Sequence, residues 1–332
     1  MIYKVKGDKG HPFRLNKFIE FHKNHDSNCD LTILRHWCEA EDFDTNLKIW
    51  TAFIYSACKC AATTMVIVSL LPLKKLTPDL AKTFWEKHEK RLLFSNERKF
   101  LKHHTDWFLT ILNQIHNKMV EHDSLTDYIN CLIVRGSAES TYAAMQKEFS
   151  TLAYFGKFAV NLLIDSLYYI VGVRADTSTV SWRKADFATS GMMILIYKDE
   201  ESIEYDQRGV MLNATQQLLI SAFELLRTTI ADTAPEASLR TLDIAQSLRN
   251  FRKLFKQLRY IGYWLDIQLG ELYKMERNYP ELADRLWAPF WESRNLLFEP
   301  YLLGESTTGN QASWKGVRKD KTKQWYKTGE FK

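Results

Sequence analysis

Apolar residues recur every three or four positions along most of the chain, the spacing that places them on one face of an α-helix. This pattern predicts helices at about 13–26, 30–43, 46–71, 78–92, 95–120, 124–134, 138–150, 211–230 and 236–279, the last of them broken near Gly262. Turn-forming residues are sparse, with 13 glycines and 7 prolines in 332 residues, whereas a β-protein needs a turn about every ten residues. The pattern therefore predicts an all-α fold, a single multi-helix globular domain.

Two segments depart from simple amphipathic helices. Residues 155–171 are apolar nearly all round, which indicates a helix surrounded by others, yet Lys157, Asn161 and Asp165 recur on it at i, i+4 and i+8. Buried polar groups need partners or a cavity, so we expect one or the other along this stripe. Residues 174–191 show no periodicity and are expected to form a long irregular loop, and such loops are usually functional or disordered.

The apolar composition and the cysteines indicate a globular chain with reduced thiols. Hydrophobic residues make up 45% of the sequence, enough for one large core or two fused ones. The five cysteines include no C-x-x-C pair, and the N-terminus shows no apolar signal core, so a cytoplasmic location is expected. The most apolar run, residues 49–73, carries Lys59 near its centre and is interrupted by Pro72. These residues favour a buried helix over a membrane span.

The net charge of +5 is concentrated in residues 314–332, which carry seven Lys/Arg against two acidic residues. Basic and aromatic residues interleaved in this way suit contacts with a phosphate backbone and stacking on exposed bases, although a solvated, disordered terminus fits equally well. We therefore expect a helical catalytic domain at 1–313 and a flexible basic tail at 314–332. The candidate DNA-binding residues of that tail are Lys315, Arg318, Lys319, Lys321 and Lys323.

Motifs of several enzyme classes are absent from the sequence. It contains no G-x-x-x-x-G-K-[ST] or G-x-G-x-x-G phosphate-binding loop and no G-x-S-x-G nucleophile elbow. His22 and His25 form the one histidine pair that is spaced three residues apart. Because no second pair stands at ligand spacing, we expect surface histidines and no structural metal.

The segment RYIGYWLD, residues 259–266, places an arginine, three aromatic residues and a carboxylate close together. On a continuous helix, Arg259 and Asp266 would share one face with Tyr263 between them, because seven residues make nearly two turns. The adjoining apolar stripe would consist of Leu254, Leu258, Leu265, Leu269 and Leu272. This arrangement fits either a structural Arg–Asp ion pair or one wall of a site.

Six short motifs follow one another in the order FIEFH (18–22), WTAFIY (50–55), FSNER (94–98), FGKF (155–158), SWR with SG (181–183 and 190–191), and RYxGYxxD (259–266). In this order they resemble the phage α-glutamyl/putrescinyl thymine pyrophosphorylases, or amino acid:DNA transferases, over most of residues 15–295. The resemblance implies an all-helical enzyme of thymine hypermodification that acts on double-stranded phage DNA in the cytoplasm of the infected host. In that family a DNA kinase first converts 5-hydroxymethyluracil in DNA to a pyrophosphate ester, and the transferase then replaces pyrophosphate by an amine. The family pattern leads us to expect a Glu and a Cys just before RYIGYWLD, where LRNFRKL (248–254) stands instead, so the acid/base residue and the amine stay open.

The chemistry of this reaction suggests roles for individual residues. Negative charge builds on the departing pyrophosphate, so cations placed on it lower the barrier; the candidates are Arg259, Arg183, Lys157 and Lys184. The incoming amine must lose a proton, which Asp266 or Asp165 could accept. The same carboxylates could instead hold Mg²⁺ on the pyrophosphate, and no other cofactor is expected.

A base inside a duplex must also be flipped out and stacked before it can react. Trp182 of SWR and Tyr260, Tyr263 and Trp264 of RYIGYWLD could form the stacking platform. The predicted catalytic residues are thus Asp266, Arg259 and Asp165, and the predicted substrate-binding residues are Lys157, Trp182, Arg183, Ser190, Tyr260 and Tyr263. Two other interpretations fit the same pattern, a helical DNA glycosylase-like enzyme and a non-enzymatic DNA-binding protein that acts through its basic tail.

Overall fold

Helices account for the architecture of the computed structural model, which describes residues 11–23, 29–95, 97–98, 106–178, 180, 182, 187–197, 212–256, 258–259, 263–282 and 286. No β-strand occurs among these residues, and the predicted all-α fold is confirmed. The α-helices are α1 (His11–Lys23), α2 (Cys29–Ala40), α3 (Thr45–Cys58), α4 (Ala61–Leu70), α5 (Pro78–His88), α6 (Trp107–Glu121), α7 (Leu125–Leu132), α8 (Ala138–Phe149), α9 (Lys157–Ser166), α10 (Phe187–Tyr197), α11 (Asn213–Thr233), α12 (Thr241–Phe255) and α13 (Tyr263–Asn278). A π-helical turn, Leu167–Val171, follows α9, and 3-10 turns follow α4 at Leu73–Lys75 and α13 at Pro280–Leu282.

Short polar side chains mark where several helices begin. Asp44, Thr77, Ser124 and Ser137 stand directly before α3, α5, α7 and α8, and each accepts a hydrogen bond from a backbone N–H of the first turn. Such a cap satisfies a donor that the helix itself leaves open and contributes about 1 kcal/mol. These starts lie close to the positions that the sequence predicts.

Two compact units make up the described part of the chain. The first unit contains α1, α10, α11, α12 and the start of α13 as far as Asp266; the second contains α2 to α9 and α13 from Ile267 onward. The predicted catalytic domain ends at residue 313, and its boundary with the tail stays a prediction because residues 287–332 lie outside the described part.

In the first unit, α10 packs against α12, α11 and α1. Gly191 lies on α10 where a side-chain Cβ would stand 2.2 Å from the backbone oxygen of Leu248 on α12, so only glycine allows this approach. Phe18 of α1 packs edge-on against Phe251 of α12, with ring centroids 5.5 Å apart. The prediction of a surface His22 is wrong, because its ring bonds to the Ser247 hydroxyl at 2.8 Å and to the Ser238 carbonyl at 2.7 Å and is buried.

In the second unit, the apolar run at 49–73 forms two buried helices rather than the single predicted one. Residues 49–68 are buried apart from Lys59, which lies between α3 and α4 with φ 49° and ψ 44°. This left-handed conformation ends α3 and turns the chain into α4. No helix within the described ranges has the length and apolar character required to cross a membrane.

The segment predicted as an irregular loop, 174–191, is only partly irregular. α10 begins at Phe187, so Ser190 and Gly191 lie on a buried helix instead of a loop. Periodicity missed this helix because its residues are apolar on every side and leave no polar face to reveal the period.

Candidate functional site

Three of the sequence motifs meet around Lys59 in the second unit. The Lys59 ammonium lies 3.3 Å from Glu97 of FSNER and 4.9 Å from the ring centroid of Phe158 of FGKF. WTAFIY forms the part of α3 that leads to Lys59. At the end of this helix the backbone carbonyl of Tyr55 accepts a hydrogen bond from the backbone N–H of Lys59. The colinear order of these motifs in the sequence thus corresponds to one local cluster in space.

A buried arginine, Arg98, bonds to the backbone of the chain segments next to Lys59. Arg98 donates through Nε to the Ala57 carbonyl at 2.9 Å and through Nη2 to the Tyr154 carbonyl at 3.2 Å. Its guanidinium also lies 5.9 Å from the Phe155 ring centroid. Arg98 is 3% exposed, so it holds three chain segments in place and is not presented to a ligand.

Asp30 and Glu97 interact electrostatically with Lys59, and Glu271 interacts with Asp30 and Glu97. We call Asp30, Glu97, Glu271 and Lys59 the carboxylate cluster. The Tyr55 hydroxyl donates to Asp30 Oδ2. Burial raises the pKa of Asp30, and the positive charge of Lys59 opposes that rise. Burial pushes the pKa of Glu97 upward, but Lys59 and hydrogen bonds from Ser95 and the backbone bring it below its ordinary value.

Glu271, on α13, is a carboxyl of the carboxylate cluster whose pKa is strongly raised. Burial raises its pKa from 4.5 to about 7; the Cys60 hydrogen bond opposes the rise, and the negative charge of Asp30 adds to it. The Oε2 atom is buried and has no hydrogen-bond partner among the residues that the structure describes. A carboxyl that titrates near neutral pH can exchange protons with a reactant, so Glu271 has the character of a general acid or base.

Sequence analysis did not select Asp30, Lys59, Glu97 or Glu271 as site residues. The one available signal was Lys59 itself, a cation inside an otherwise apolar run, which counted only against a membrane span. Within the described ranges, no group of three or more His, Cys, Asp or Glu has an arrangement suited to a metal ion.

The first unit contains a second candidate feature, built around Arg259. The backbone N–H groups of Leu258 and Arg259 both donate to the Lys253 carbonyl, at 2.9 and 3.2 Å, so the chain curls back on the end of α12. Arg259 Nη1 then donates to Asn250 Oδ1 at 3.2 Å. Its guanidinium carbon lies 4.8 Å from the ring centroid of Tyr263 and 4.2 Å from that of Trp264. We call these four residues, Asn250, Arg259, Tyr263 and Trp264, the arginine platform.

The route that brings Arg259 to Tyr263 differs from the predicted one. α12 ends at Phe255 and α13 begins at Tyr263, so Arg259 precedes the helix and the prediction of one helical face shared with Asp266 is wrong. Leu258 is 66% exposed and does not belong to the apolar stripe, whereas Leu254, Leu265, Leu269 and Leu272 are buried as expected. The contact between Arg259 and Tyr263 is therefore not one between two residues of a continuous helical face.

The other predicted site residues of the first unit have mixed surroundings. Asp266 is partly buried in the first turn of α13. Trp182 is buried edge-on against Phe223 of α11, with ring centroids 5.7 Å apart, and Ser190 is buried on α10. Burial gives Trp182 and Ser190 packing roles. Arg183, Lys184, Tyr260 and the tail residues Lys315, Arg318, Lys319, Lys321 and Lys323 lie outside the described residues.

The polar stripe of α9 belongs to the second unit. Lys157 is exposed at the first position of the helix, and Asn161 accepts a hydrogen bond from the Tyr142 hydroxyl at 3.1 Å. Asp165 is partly buried just before the π-helical turn, a rare element that frequently lies at functional sites. The stripe therefore has a partner at its middle position, as burial of polar groups requires.

Comparisons of the chain with protein-family models, with curated proteins and with solved structures find no match.

Proposed function

We propose that this protein is a DNA-modifying transferase that replaces the pyrophosphate of a pyrophosphorylated 5-hydroxymethyluracil with an amine from an amino acid or a polyamine. The arginine platform carries the proposal. It places a guanidinium, held by Asn250, against the faces of two aromatic rings. A cation for a phosphate group and aromatic faces for a base are the two elements that this substrate requires.

The reaction requires little from the protein beyond charge and a proton acceptor. The bond between the C5 methylene carbon and the ester oxygen breaks, and pyrophosphate leaves with the electron pair. The amine nitrogen forms the new bond to that carbon and gives up a proton. Arg259 stabilises the charge that develops on the pyrophosphate oxygens. Mg²⁺ on the same oxygens would share this role.

A carboxylate accepts the amine proton in this proposal. Asp266 is the first candidate, since it lies in the same unit and on the helix that Tyr263 and Trp264 begin. Asp165 is the second.

The biological setting follows from the substrate. The reaction takes place on duplex phage DNA in the cytoplasm of the infected bacterium, after a 5-hydroxymethyluracil DNA kinase has made the pyrophosphate ester. The order of the six short motifs supports this setting, and three of them cluster around Lys59.

The direct test uses duplex DNA that carries pyrophosphorylated 5-hydroxymethyluracil. The protein is incubated with this DNA, a panel of amino acids and polyamines, and Mg²⁺ or EDTA; the DNA is then digested to nucleosides and analysed by mass spectrometry. We expect an amine adduct and released pyrophosphate. Unchanged pyrophosphorylated nucleoside with every amine would refute the proposal.

Matched arginine variants test the role of the platform. Arg259→Gln removes the cation, and we expect a loss of adduct formation of about 100-fold or more, the usual effect of removing one charge-stabilising donor. Arg277→Gln makes the same change at an exposed position of α13 and should leave the rate unchanged. Replacing Asp266 and Asp165 one at a time by the amide identifies the proton acceptor as the variant that loses turnover and retains DNA binding.

The same experiment separates the two rival interpretations. Abasic sites or alkali-sensitive breaks without an adduct would indicate a glycosylase-like enzyme. If deletion of residues 314–332 abolished every effect on DNA while Arg259→Ala and Asp266→Ala had none, the protein would be a non-enzymatic DNA-binding protein.

A further inference from the structure

One face of α11 carries no charge although it is exposed. Leu218 and Leu225 stand seven residues apart on this face and are 38% and 68% exposed. Small exposed residues alternate with them, so that positions spaced four, three, four and three residues apart form one row along the helix. We call this row the α11 seam; its residues are Ala214, Leu218, Ser221, Leu225 and Thr228.

The core of the first unit fixes which side of α11 faces outward. Leu219, Phe223, Leu226 and Ile230 are buried. They lie on the side of the helix opposite the seam, because each residue turns the helix by about 100°, and α10 packs against α11. The seam is thus held at the surface, where a helix that faces only water usually carries charged side chains.

The threonines at the C-terminal end of the seam have their hydroxyls satisfied within the helix. The Thr228 hydroxyl donates to the Glu224 carbonyl at 3.0 Å, and the hydroxyl of its neighbour Thr229 donates to the Leu225 carbonyl at 2.8 Å. Covering these two residues with an apolar partner therefore leaves no hydroxyl donor unpaired. The seam can lose its water at little cost.

The order of residues along the seam is the same in both directions. Small, leucine, small, leucine, small is the order from Ala214 to Thr228 and from Thr228 to Ala214. When a second copy of α11 lies antiparallel, Leu218 of one copy meets Leu225 of the other, and each leucine packs beside a small residue. A two-fold symmetric contact requires this self-complementarity, because both copies use the same patch. Spacings of three and four residues are those of helices that pack knobs-into-holes.

The residues beside the seam favour the same pairing. Gln217 and Glu224 are exposed on one flank. In the antiparallel pair, Glu224 of each copy lies beside Gln217 of the other, so that a carboxylate meets an amide donor and not a second carboxylate. The other flank carries the uncharged residues Thr215, Ala222 and Thr229. The charges of the two copies are therefore compatible along this contact.

We propose that two copies of this chain associate through the α11 seam as an antiparallel pair of helices. From residue 214 to residue 228 the seam is about 21 Å long, at 1.5 Å per residue. One helix pair of this length is smaller than the interface of an obligate dimer, so the association is reversible, with a dissociation constant on the order of 10 µM.

A segment of this chain is the rival occupant of the seam. Residues 198–211 directly precede α11, residues 287–332 end the sequence, and both lie outside the described residues. If either segment covers the seam, the two leucines stabilise the folded monomer. Their replacement then lowers the melting temperature without changing the mass of the protein in solution.

Sedimentation velocity of the full chain in buffer without DNA measures the association, from about 1 to 200 µM so that the expected dissociation constant lies within the range. The test variant is Leu218→Gln/Leu225→Gln. The control is Leu239→Gln/Leu258→Gln, which makes the same changes at two leucines that are 39% and 66% exposed and lie outside α11. Thermal unfolding of each variant is recorded in the same buffer.

The weight-average mass of the wild type should rise from that of one chain towards that of two as the concentration increases. The test variant should associate at least about 10-fold more weakly, because its dimer would bury four amides in place of four leucines. The control variant should associate like the wild type, and both variants should keep the wild-type melting temperature.

A further variant, Gln217→Lys, tests the orientation of the two helices. In the antiparallel pair it places an ammonium beside Glu224 of the other copy, twice per dimer, whereas in a parallel pair Ala222 would lie there. We expect association to strengthen about 3-fold, as two exposed ion pairs allow. Association that is unchanged or weaker would overturn the antiparallel arrangement.

A wild-type chain that stays monomeric over the whole range would overturn the inference, as would a test variant that associates as strongly as the wild type. An equal loss in the control would also overturn it. A monomeric wild type whose test variant melts well below the control would assign the seam to the rival segment. Because no DNA is present, these outcomes are independent of the proposed transferase activity.

Discussion

Glu271 offers a quantitative test of the carboxylate cluster. Burial raises the pKa of this carboxyl from 4.5 to about 7, whereas the unfolded chain keeps the ordinary value. Between these two values the folded protein holds a proton that the unfolded chain has released. Stability contributed by this group is therefore fully present below about pH 4.5, falls as pH rises, and levels off above about pH 7.

The size of the effect follows from the size of the pKa change. At about 1.4 kcal/mol per pKa unit, ionisation of Glu271 destabilises the folded state by about 3 kcal/mol above pH 7. Roughly 2–3 kcal/mol of this loss falls between pH 5 and pH 8. Glu271→Gln keeps the shape of the side chain and removes the titration. We therefore expect the free energy of unfolding of the variant, relative to wild type, to increase by that amount over the same range.

Urea unfolding of both proteins at pH 5, 6, 7 and 8 measures this difference. Asp30 and the other titrating groups remain in both proteins, so their contributions largely cancel. Glu86→Gln, at an exposed position of α5, makes the same chemical change and should give a flat difference. If the Glu271→Gln difference varied by less than about 0.5 kcal/mol from pH 5 to pH 8, burial would not control this carboxyl and the reasoning would fail.

Two further predictions concern packing and thiol access. Gly191→Ala places a methyl group against the Leu248 carbonyl and should cost about 3 kcal/mol or more in urea unfolding, whereas Gly156→Ala, which meets nothing within 4 Å, should be nearly neutral; equal effects would contradict the close approach of α10 and α12. A thiol reagent should label one cysteine in the native protein, since Cys131 is exposed and the other four are buried, and Cys131→Ser should remove that signal.

Local pattern was sufficient to predict much of the helical fold. Apolar spacing and turn residues predicted α5, α7, α8 and α11 to within a few residues, because each has one apolar face and most begin at a capping side chain. The buried character of residues 49–68 also followed from composition. These features depend on interactions between residues close in sequence, which a single sequence records.

The features that the sequence did not predict depend on contacts between distant segments. Lys59 adopts a left-handed conformation that no propensity favours for lysine, and it divides one predicted helix into two. His22 looked like a surface residue and is bonded to Ser247 and to the Ser238 carbonyl, more than 200 positions away. Such partners become visible only once the helices are packed.

The structure also separates the motif residues that support the fold from those able to take part in chemistry. Arg98 is buried against the Ala57 and Tyr154 carbonyls, and Gly191 is required by the Leu248 backbone. Either residue could recur in relatives for packing reasons alone, so neither is evidence for a reaction. Arg259 is different, because it is partly exposed and lies across two aromatic rings. If the motif order reflects a shared chemistry, substitution of Arg259 should abolish turnover and leave the melting temperature nearly unchanged, whereas substitution of Arg98 should lower both together.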